Sequence, residues 1–465
     1  MISKKPLFWH QGLFLQPQHF QYLDQYFQSL LSPILKYQCP CFWGVVDEIE
    51  VNESALENRA FEMLKGRFLF QDGTDIVFPG NSVIQPRSFD EAWVEAEKPF
   101  TVYLGLRKFD KAAQNVSVLP SLDDPSGIST RFVATENPEE MVDMYRGGPP
   151  AQVKRLNYVL KIFWENEVKE LGNYYLIPLA QLQRNGKEIK FSQKFISPVI
   201  SVSASGELVK IIKEIRDQVV SRCRQLEEYK SPKEIQSSDF EAGYMIYLLA
   251  LRSLNRFVPV LFHLMETPNI HPWVYYGVLR QLVGELSTFS EQVSATGELF
   301  DGTRVLPIYD HQNLWTCFSD VHTLITGLLN RIIIGPEHVL RLKRDVDYFA
   351  SEDIPVNVFD GRNVFYLAVK TDDEPDKTIQ SILTIAKLSS PEHIGTLISR
   401  ALHGIKLEQS MIPPPGLPRR PNVFYFKIDN NSPQWPDVQQ SKNISLHWDA
   451  APEDTRVEII ILRGT

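Results

Sequence analysis

The spacing of apolar residues changes twice along this chain, and each change limits the kind of structure that the chain can form. In the first part of the chain, apolar and polar residues alternate, most regularly over residues 156–164. A period of two places the apolar side chains on one face of a half-buried strand. Residues 42–51 and 100–106 are rich in aromatic and β-branched residues, and turn-forming residues separate such runs. Many short strands with frequent turns predict a β-sandwich over residues 1–200.

In the middle of the chain the apolar residues step by three and four, which is the spacing of an amphipathic helix. One stripe covers residues 208–226, and a second helix is predicted over residues 236–265. Pro272 suits the first turn of a third helix. The fourth helix has a spacing close to a coiled-coil heptad and ends before Pro336. Four consecutive helices predict a bundle over residues 201–335. The seam of the fourth helix consists of Leu314, Val321, Leu324 and Leu328.

The last part of the chain mixes both periods. Residues 356–369 contain two apolar runs with a short connection that includes Asp-Gly, and they predict a β-hairpin. Helices are predicted over residues 376–388 and, after a Ser-Pro start signal, over residues 391–403. A proline-rich connector follows, and a β-branched run over residues 457–462 predicts a final strand. This combination predicts an α+β domain over residues 336–465.

Charge and cysteine content exclude several classes of protein. The formal net charge is −9 at pH 7, whereas binding to nucleic acid needs clustered Lys and Arg. Four cysteines in 465 residues do not make a disulfide framework, and Cys39 with Cys41 lacks the second ligand pair that a zinc site needs. The apolar stretch over residues 244–262 contains Arg252 and Arg256. It is therefore interpreted as a core helix, with no direct insertion into a membrane.

No known catalytic motif is present in the chain. It has no phosphate-binding loop, no Gly-x-Ser-x-Gly elbow and no His-Glu-x-x-His. His10 and His19 have only Asp24 close to them in sequence, whereas a catalytic His needs a reacting group and an orienting partner. His311 and His322 would share a face if both lay on one helix. We therefore predict a protein without catalytic residues, metal or cofactor, which acts through interaction surfaces.

The most distinctive string lies near the start of the chain. It reads Trp-His-Gln-Gly-Leu-Phe-Leu-Gln-Pro-Gln-His-Phe-Gln from Trp9 onwards. Gly12 and Pro17 mark backbone positions of special conformation. Aromatic residues such as Trp9 and Phe20 are typical anchors of a desolvated contact. We predict that this segment is held by a partner surface.

Two further patches accompany the opening string. One begins at His271-Pro272 and continues to Leu306-Pro307-x-Tyr309-x-His311, and the other is Leu417-Pro418-x-Arg420-Pro421. Together the three patches resemble the TssK family, also called ImpJ or VasE, of baseplate subunits in the type VI secretion system. Because the patches lie at the start, in the middle and near the end, the resemblance covers the whole chain.

The resemblance implies a non-enzymatic adaptor in three parts. The N-terminal sandwich would form a shoulder, similar to that of phage receptor-binding proteins, which docks on baseplate wedge proteins similar to TssF and TssG. The residues expected to make this contact are Trp9, Gly12, Leu15, Pro17, His19 and Phe20.

The resemblance also implies roles for the other two parts. The helical neck would form a homotrimer through the seam of the fourth helix, although a monomeric bundle would bury a similar stripe. The α+β head would bind inner-membrane proteins similar to TssM and TssL, with Phe424, Phe426 and Trp435 as contact candidates that would fit a core equally well. The protein would be cytoplasmic and would reach the inner membrane only through these partners.

Two other classes of protein stay open at this point. One is a phage-derived tail or receptor-binding adaptor outside secretion, which neighbouring genes for a sheath and a membrane anchor would distinguish. The other is an unrecognised enzyme, which a pocket with perturbed titratable groups would indicate.

Overall fold

The computed structural model describes residues 5–38, 40–90, 92–93, 98–123, 125, 127–185, 188–228, 242–267, 269–332, 338–351, 354–359, 361–411, 413–414, 417–418, 420 and 422–463. Its contacts divide the chain into two compact units. The first contains Met1–Asp217 and Pro259–Leu328, and the second contains Gln218–Val258 and Leu329–Thr465. The predicted division into three domains, at residues 200 and 335, stays a prediction.

The first unit is rich in strands up to residue 191. Two helices precede or interrupt them, α1 (Pro17–Gln38) and α2 (Glu53–Glu57). The strands are β1 (Gly44–Val45), β2 (Glu50–Val51), β3 (Ala60–Phe61), β4 (Met63–Leu69), β5 (Asp75–Phe78), β6 (Ser82–Val83), β7 (Arg87–Ser88), β8 (Phe100–Arg107), β9 (Val116–Leu119), β10 (Phe132–Thr135), β11 (Glu139–Met141), β12 (Ala151–Val153), β13 (Asn157–Trp164), β14 (Tyr174–Asn185) and β15 (Glu188–Phe191).

A seven-stranded sheet is the largest in this unit. Its order is β15-β14-β8-β13-β10-β9, with β6 paired to β13. A four-stranded sheet has the order β1-β4-β2, with β5 paired to β4, and β3-β7 and β11-β12 form two-stranded ribbons. The β-rich first part of the chain is thus confirmed, while the sandwich arrangement stays a prediction.

The alternation of apolar and polar residues that predicted β13 matches the burial of its side chains. Leu160, Ile162 and Trp164 are buried, while Lys161 and Phe163 between them are half-buried. Its neighbour β8 is buried along almost its whole length, because strands covered on both faces have continuous apolar sequences. Trp164 packs edge-to-face against Phe89, with ring centroids 6.0 Å apart.

Four helices follow between residues 206 and 331. They are α3 (Gly206–Glu227), α4 (Ala242–Met265), α5 (Pro272–Leu286) and α6 (Leu314–Arg331). Three of them, α3, α5 and α6, lie close to where the sequence predicted a helix. Pro272 is the first residue of α5, and His271 caps that helix by accepting a hydrogen bond from the Trp273 N–H. The start predicted for the second helix, at residue 236, lies outside the described residues.

The second unit contains one eight-stranded sheet in which all the described pairings are antiparallel. Besides the parts of α3 and α4 within Gln218–Val258, it contains the helices α7 (Pro375–Thr384), α8 (Pro391–Ser399) and α9 (Trp435–Ser441). Its strands are β16 (His338–Asp345), β17 (Tyr348–Ala350), β18 (Asn363–Lys370), β19 (Lys387–Ser389), β20 (Leu407–Gln409), β21 (Val423–Ile428), β22 (Ser445–His447) and β23 (Arg456–Arg463). The order is β19-β22-β17-β16-β23-β18-β21-β20.

Several local predictions are wrong in a way that tertiary structure explains. Residues 42–51 form two short strands and not one, because β1 and β2 both pair with β4 at separate positions. The predicted hairpin over residues 356–369 does not form, since Val356–Phe359 is a 3-10 helix and β18 pairs with β21 and β23. The helix predicted up to residue 388 ends at Thr384, and β19 follows it.

Candidate functional site

Three places could carry chemistry, and the first is a serine–histidine–aspartate group in the second unit. Ser390 Oγ lies 3.1 Å from His393 Nδ1, and Asp437 Oδ2 lies 3.7 Å from the same nitrogen. A catalytic triad uses both ring nitrogens, one for the nucleophile and one for the acid. Because both partners meet Nδ1, this group is a local contact at the start of α8 and not a triad.

The second place is a pocket of about 300 Å³ on the partly exposed face of β13. Arg87 and Lys161 line it, but Arg87 forms a bidentate ion pair with Glu167 at 2.6 and 2.7 Å. Burial, and then repulsion from Arg107 and Arg87, lowers the pKa of Lys161. Among the described residues, no His, Cys or carboxylate lines the pocket, so it brings no acid and base together.

Metal binding is the third possibility, and the described part of the chain contains no group of three or more His, Cys, Asp or Glu that could hold an ion. Cys39 lies outside the described residues, and the carbonyl of Cys41 accepts a hydrogen bond from His271. Cys223 and Cys317 are buried, as their positions on α3 and α6 predict.

The predicted partner segment is exposed along its length. Trp9, Leu15 and Phe20 expose 47%, 53% and 51% of their surface. Gly12 has a φ of +85°, a conformation that side chains other than glycine rarely adopt, and open space surrounds it. Pro17 is the first residue of α1, where its missing N–H costs nothing. We call this segment the unburied strip, because its large apolar side chains are about half exposed.

His19 has a local role in this strip. Its Nδ1 accepts a hydrogen bond from the Gln16 N–H at 3.0 Å, which closes the start of α1. The hydroxyl of Tyr22 donates to the carbonyl of Lys5 at 2.7 Å, so the extended segment before α1 lies back along the helix. These contacts fix the backbone of the strip and leave its aromatic side chains free to meet a partner.

Helix α1 itself has no buried residue. Its apolar residues Phe27, Leu30, Leu31, Ile34 and Tyr37 are all exposed. The sequence reasoning missed this helix because its start is rich in glutamine and Pro33 lies inside it. The signal that could have found it is the spacing of three and four between Phe20 and Tyr37.

The second patch of the sequence forms a pair of stacked histidines in the first unit. The rings of His271 and His311 lie 5.3 Å apart at an angle of 13°. His271 Nε2 is 2.8 Å from the carbonyl of Cys41, and His311 Nε2 is 2.7 Å from the carbonyl of Trp43. We call His271, His311 and these two carbonyls the histidine clasp. It anchors the chain that follows α1.

The hydrogen bonds of the clasp define its protonation. His271 Nδ1 accepts from the Trp273 N–H at 3.1 Å, so the proton of the neutral ring is on Nε2 and is donated to Cys41. His311 donates from Nε2 to Trp43, and its Nδ1 lies 2.8 Å from the Tyr309 hydroxyl. Burial lowers the pKa of both rings, that of His311 to about 4. His311 precedes α6 and His322 lies within it, so the two do not share a helix face as predicted.

The seam of α6 is the first site prediction that the structure corrects. Leu314, Val321 and Leu328 are buried inside a single chain, and Leu324 is half-buried. Buried side chains cannot also face a second copy without opening the core. The periodicity therefore predicted the apolar face of α6 correctly; its burial matches the alternative of a bundle within one chain, and the homotrimer stays a prediction.

Helix α4 is less buried than the sequence predicts. The segment Met245–Met265 is long and apolar enough to cross a membrane by length and composition, and 28% of its most apolar window is buried. Met245, Ile246 and Leu249 near its start are exposed. The interpretation of this stretch as a core helix is wrong for these residues.

The head candidates are also corrected. Phe426 and Trp435 are buried in the core of the second unit, and Phe424 packs against that core. Trp435 lies edge-to-face on Phe365 at 4.6 Å. These aromatics therefore match the alternative stated above, that they are core residues. Phe426 and Trp435 offer no surface to a partner.

The third patch of the sequence is also structural. Leu417 packs with Tyr425 on one face of the sheet, and the Tyr425 hydroxyl donates to the carbonyl of Pro418. Arg420 bonds to Glu228 at 3.0 Å and to Glu458 at 2.8 Å. The patch thus ties the connector to β23.

Comparison with known proteins identifies the family. The model of the family described as "Bacterial Type VI secretion, VC_A0110, EvfL, ImpJ, VasE" matches residues 19–462. This chain belongs to that family of bacterial type VI secretion proteins. A relative from Pseudomonas aeruginosa PAO1, the type VI secretion system baseplate component TssK1, is 22% identical over 447 residues, which are 94% of each chain.

Solved structures show the same fold. A crystal structure of TssK is similar with a TM-score of 0.60 and 19% identity, covering 99% of this chain and 100% of that one. A chain in the cryo-electron microscopy structure of the TssK-TssF-TssG baseplate subcomplex has a TM-score of 0.58 and 21% identity, covering 71% of this chain and 100% of that chain. At these identities the likeness concerns the fold.

Proposed function

We propose that this chain is a non-enzymatic structural adaptor of the type VI secretion baseplate. In this role it links the baseplate wedge to the inner-membrane complex as a homotrimer in the cytoplasm. Family membership supports the assignment to type VI secretion. The name of the Pseudomonas relative supports the baseplate, and the solved subcomplex supports wedge partners similar to TssF and TssG.

The observation that carries wedge docking is the unburied strip at the start of the chain. Trp9, Leu15 and Phe20 are about half exposed, while the bonds of His19 and Tyr22 hold the backbone around them. Large apolar side chains on a fixed backbone are the usual anchors of an interface, since their ordering costs little on binding.

Wedge docking is tested with purified wedge proteins. Deleting residues 1–21, or replacing both Trp9 and Leu15 by Ala, should weaken wedge binding at least tenfold, since buried anchors contribute about 2 kcal/mol or more each. Tyr145→Ala is the matched control, because Tyr145 is 95% exposed and lies elsewhere in the first unit. Unchanged wedge affinity after the deletion would contradict the docking site.

The homotrimer is assigned to the helical region over residues 201–335. Because the α6 seam is buried, we move the proposed contact to the exposed apolar residues at the start of α4, Met245, Ile246 and Leu249. Replacing Met245 and Leu249 by Glu should reduce the native mass from three chains, whereas Arg252→Ala on the same helix should not. A wild-type mass of one chain at micromolar concentration would refute trimerisation.

The region after residue 336 is assigned to the inner-membrane partners similar to TssM and TssL. This assignment keeps the head and drops Phe426 and Trp435 as contacts. The full chain should capture the cytoplasmic segment of such a partner, and a chain that ends at residue 335 should not. If the shortened chain also captured the partner segment, the binding site would lie before residue 336 and the assignment to the head would be wrong.

A further inference from the structure

The pocket of about 300 Å³ beside β13 contains a cation, Lys161, to which the described residues offer no acid. We propose that this pocket binds a single carboxylate joined to a small apolar body, with the ammonium group of Lys161 as its counter-ion. The site is independent of the adaptor role, which does not require it. The position of the pocket, the pairing of the charges around it and its apolar lining support this site.

The pocket lies at an edge of β13 where side chains take the place of a neighbouring strand. The strand β6 pairs only with the first part of β13, and the later part pairs with β8. At the edge beside the pocket, Arg87 donates to the carbonyl of Ile162 at 2.9 Å. The N–H of Trp164 donates to the carboxylate of Glu167 at 2.8 Å. These bonds satisfy the backbone of β13 and fix Arg87 and Glu167 beside the pocket.

The cations around the pocket differ in how they are paired. Arg87 forms a bidentate ion pair with Glu167 at 2.6 and 2.7 Å, and Arg107 donates to the carbonyl of Ser129. Lys161 is half-buried, and its ammonium group has no hydrogen bond or ion pair within the part of the chain that the structure describes. Burial, and then repulsion from Arg107 and Arg87, lowers its pKa. An anion beside Lys161 would therefore replace a net repulsion by an attraction.

These charges fit a ligand group with one negative charge. Lys161 supplies one ammonium group for a ligand, whereas Glu167 already balances the charge of Arg87. A dianion such as a phosphate ester would be repelled by Glu167, and phosphate sites usually combine Arg side chains with backbone N–H groups at a helix start. A carboxylate needs only one cation, and its hydrogen bond to an ammonium group is charge-assisted. The charges of the pocket therefore favour a carboxylate over a phosphate.

The rest of the lining favours an apolar body attached to the carboxylate. Val83, Pro86 and Pro125 line the pocket together with Phe163, whose ring packs edge-to-face on Tyr174 at 4.8 Å. A volume of about 300 Å³ lies at the lower end of the range for ligand pockets, ~300–1,000 Å³. The pocket therefore has room for a small molecule or for one end of a peptide. The carboxylate has two possible sources, a free organic acid and an acidic residue or C-terminus of a bound protein.

Calorimetric titration of the full chain with N-acetylphenylalanine tests the site, and the uncharged N-acetylphenylalaninamide is the matched ligand. The acid should bind saturably, and the amide about tenfold or more weaker, because it lacks the hydrogen bond between opposite charges. Lys161→Gln should weaken binding of the acid by a similar factor. Lys210→Gln is the control variant, because Lys210 is exposed on α3 and the same charge is removed. The comparison of acid and amide in the wild type tests the site even if Lys161→Gln does not fold.

Three results would overturn the proposal. They are the absence of saturable binding of the acid up to on the order of 10 mM, equal binding of acid and amide, and unchanged binding of the acid by a folded Lys161→Gln variant.

Binding to purified wedge proteins then identifies the source of the carboxylate. If a wedge protein supplies it, Lys161→Gln should weaken wedge binding and N-acetylphenylalanine should compete with the wedge protein. If a free organic acid supplies it, wedge binding should be unchanged while the acid still binds at Lys161. Both results support the site, and neither depends on whether the chain acts as an adaptor.

Discussion

His271 and His311 stack with their rings 5.3 Å apart and nearly parallel, although 39 residues separate them along the chain. Each donates a hydrogen bond to a carbonyl of the same short segment, at Cys41 and Trp43. Trp43 also lies edge-on to His311 at 5.2 Å. One pair of neutral rings therefore anchors the chain directly after α1, the helix into which the exposed strip leads.

The histidine clasp should make the stability of the protein depend on pH. Burial lowers the pKa of His311 to about 4, whereas an unfolded histidine has a pKa of about 6.5. Between these values the unfolded chain binds a proton that the folded chain does not bind. The free energy of unfolding should therefore fall as the pH drops from about 6.5 to about 4, by roughly 3 kcal/mol from this group alone.

Urea unfolding at several pH values measures this effect. His311→Gln cannot titrate and should lose that share of the pH dependence, while His263→Gln is the control, because His263 is exposed. If the free energy of unfolding of His311→Gln varied with pH as it does in the wild type, the histidine clasp would not be the source of the pH dependence.

Gly297 should be the least replaceable glycine of the second sequence patch. It has a φ of +75°, and a Cβ placed on it would lie 2.2 Å from the Cβ of Leu306. Gly302 is the matched control, with a φ of +83° and open space around it. The conformation costs both alanine variants about 1 kcal/mol, and the collision should cost Gly297→Ala roughly 2 kcal/mol more. Thermal unfolding of both alanine variants measures the difference. Equal losses of stability in Gly297→Ala and Gly302→Ala would contradict the prediction.

The α6 seam should stabilise the single chain. Leu328 is 2% exposed, so Leu328→Ala should lower the free energy of unfolding by about 2–5 kcal/mol, the range for a buried leucine. Leu324→Ala removes a half-buried side chain and should cost about 1 kcal/mol. Native mass should be unchanged in both variants when they are folded. A variant that is fully folded but loses assembly would return the trimer contact to this seam.

Arg420 should matter more than Arg341, although both pair with Glu458. Arg420 is 34% exposed and also bonds to Glu228, whereas Arg341 is 85% exposed at 3.3 Å from Glu458. Arg420→Gln should cost about 1–2 kcal/mol because it removes the shorter ion pair of Glu458, which is 16% exposed, and leaves it only the exposed Arg341. Arg341→Gln should stay within about 0.5 kcal/mol, as is usual for an exposed pair. Urea unfolding compares them, and equal costs would refute the difference.

Local periodicity correctly predicted the elements in which apolar residues recur at a regular spacing along the sequence. Strands β8 and β13, helices α3, α5 and α6, and the final strand β23 all lie where the spacing of apolar residues placed them. Periodicity reports which face of an element is apolar but not what covers that face. Val321 is covered by its own chain and Phe27 is not, although both belong to heptad-like stripes.

The contacts that could not be predicted join distant parts of the sequence. The histidine clasp needs three segments that are far apart in the chain, and no local pattern relates them. The hairpin prediction failed for the same reason, because β18 pairs with β21 and β23 and not with its neighbour in sequence. Head aromatics such as Phe426 look alike in sequence whether they face a core or a partner, and burial decides between the two.

The position of β23 has a consequence for synthesis on the ribosome. This strand lies between β16 and β18 and pairs with both, with up to eight paired positions on one side. Chains emerge from the N-terminal end, so β16 and β18 have open edges until residues 456–463 have left the exit tunnel. Unpaired edges of this kind attract other strands. The second unit therefore completes its sheet late, and a ribosome that stalls before residue 456 would release a chain prone to aggregation.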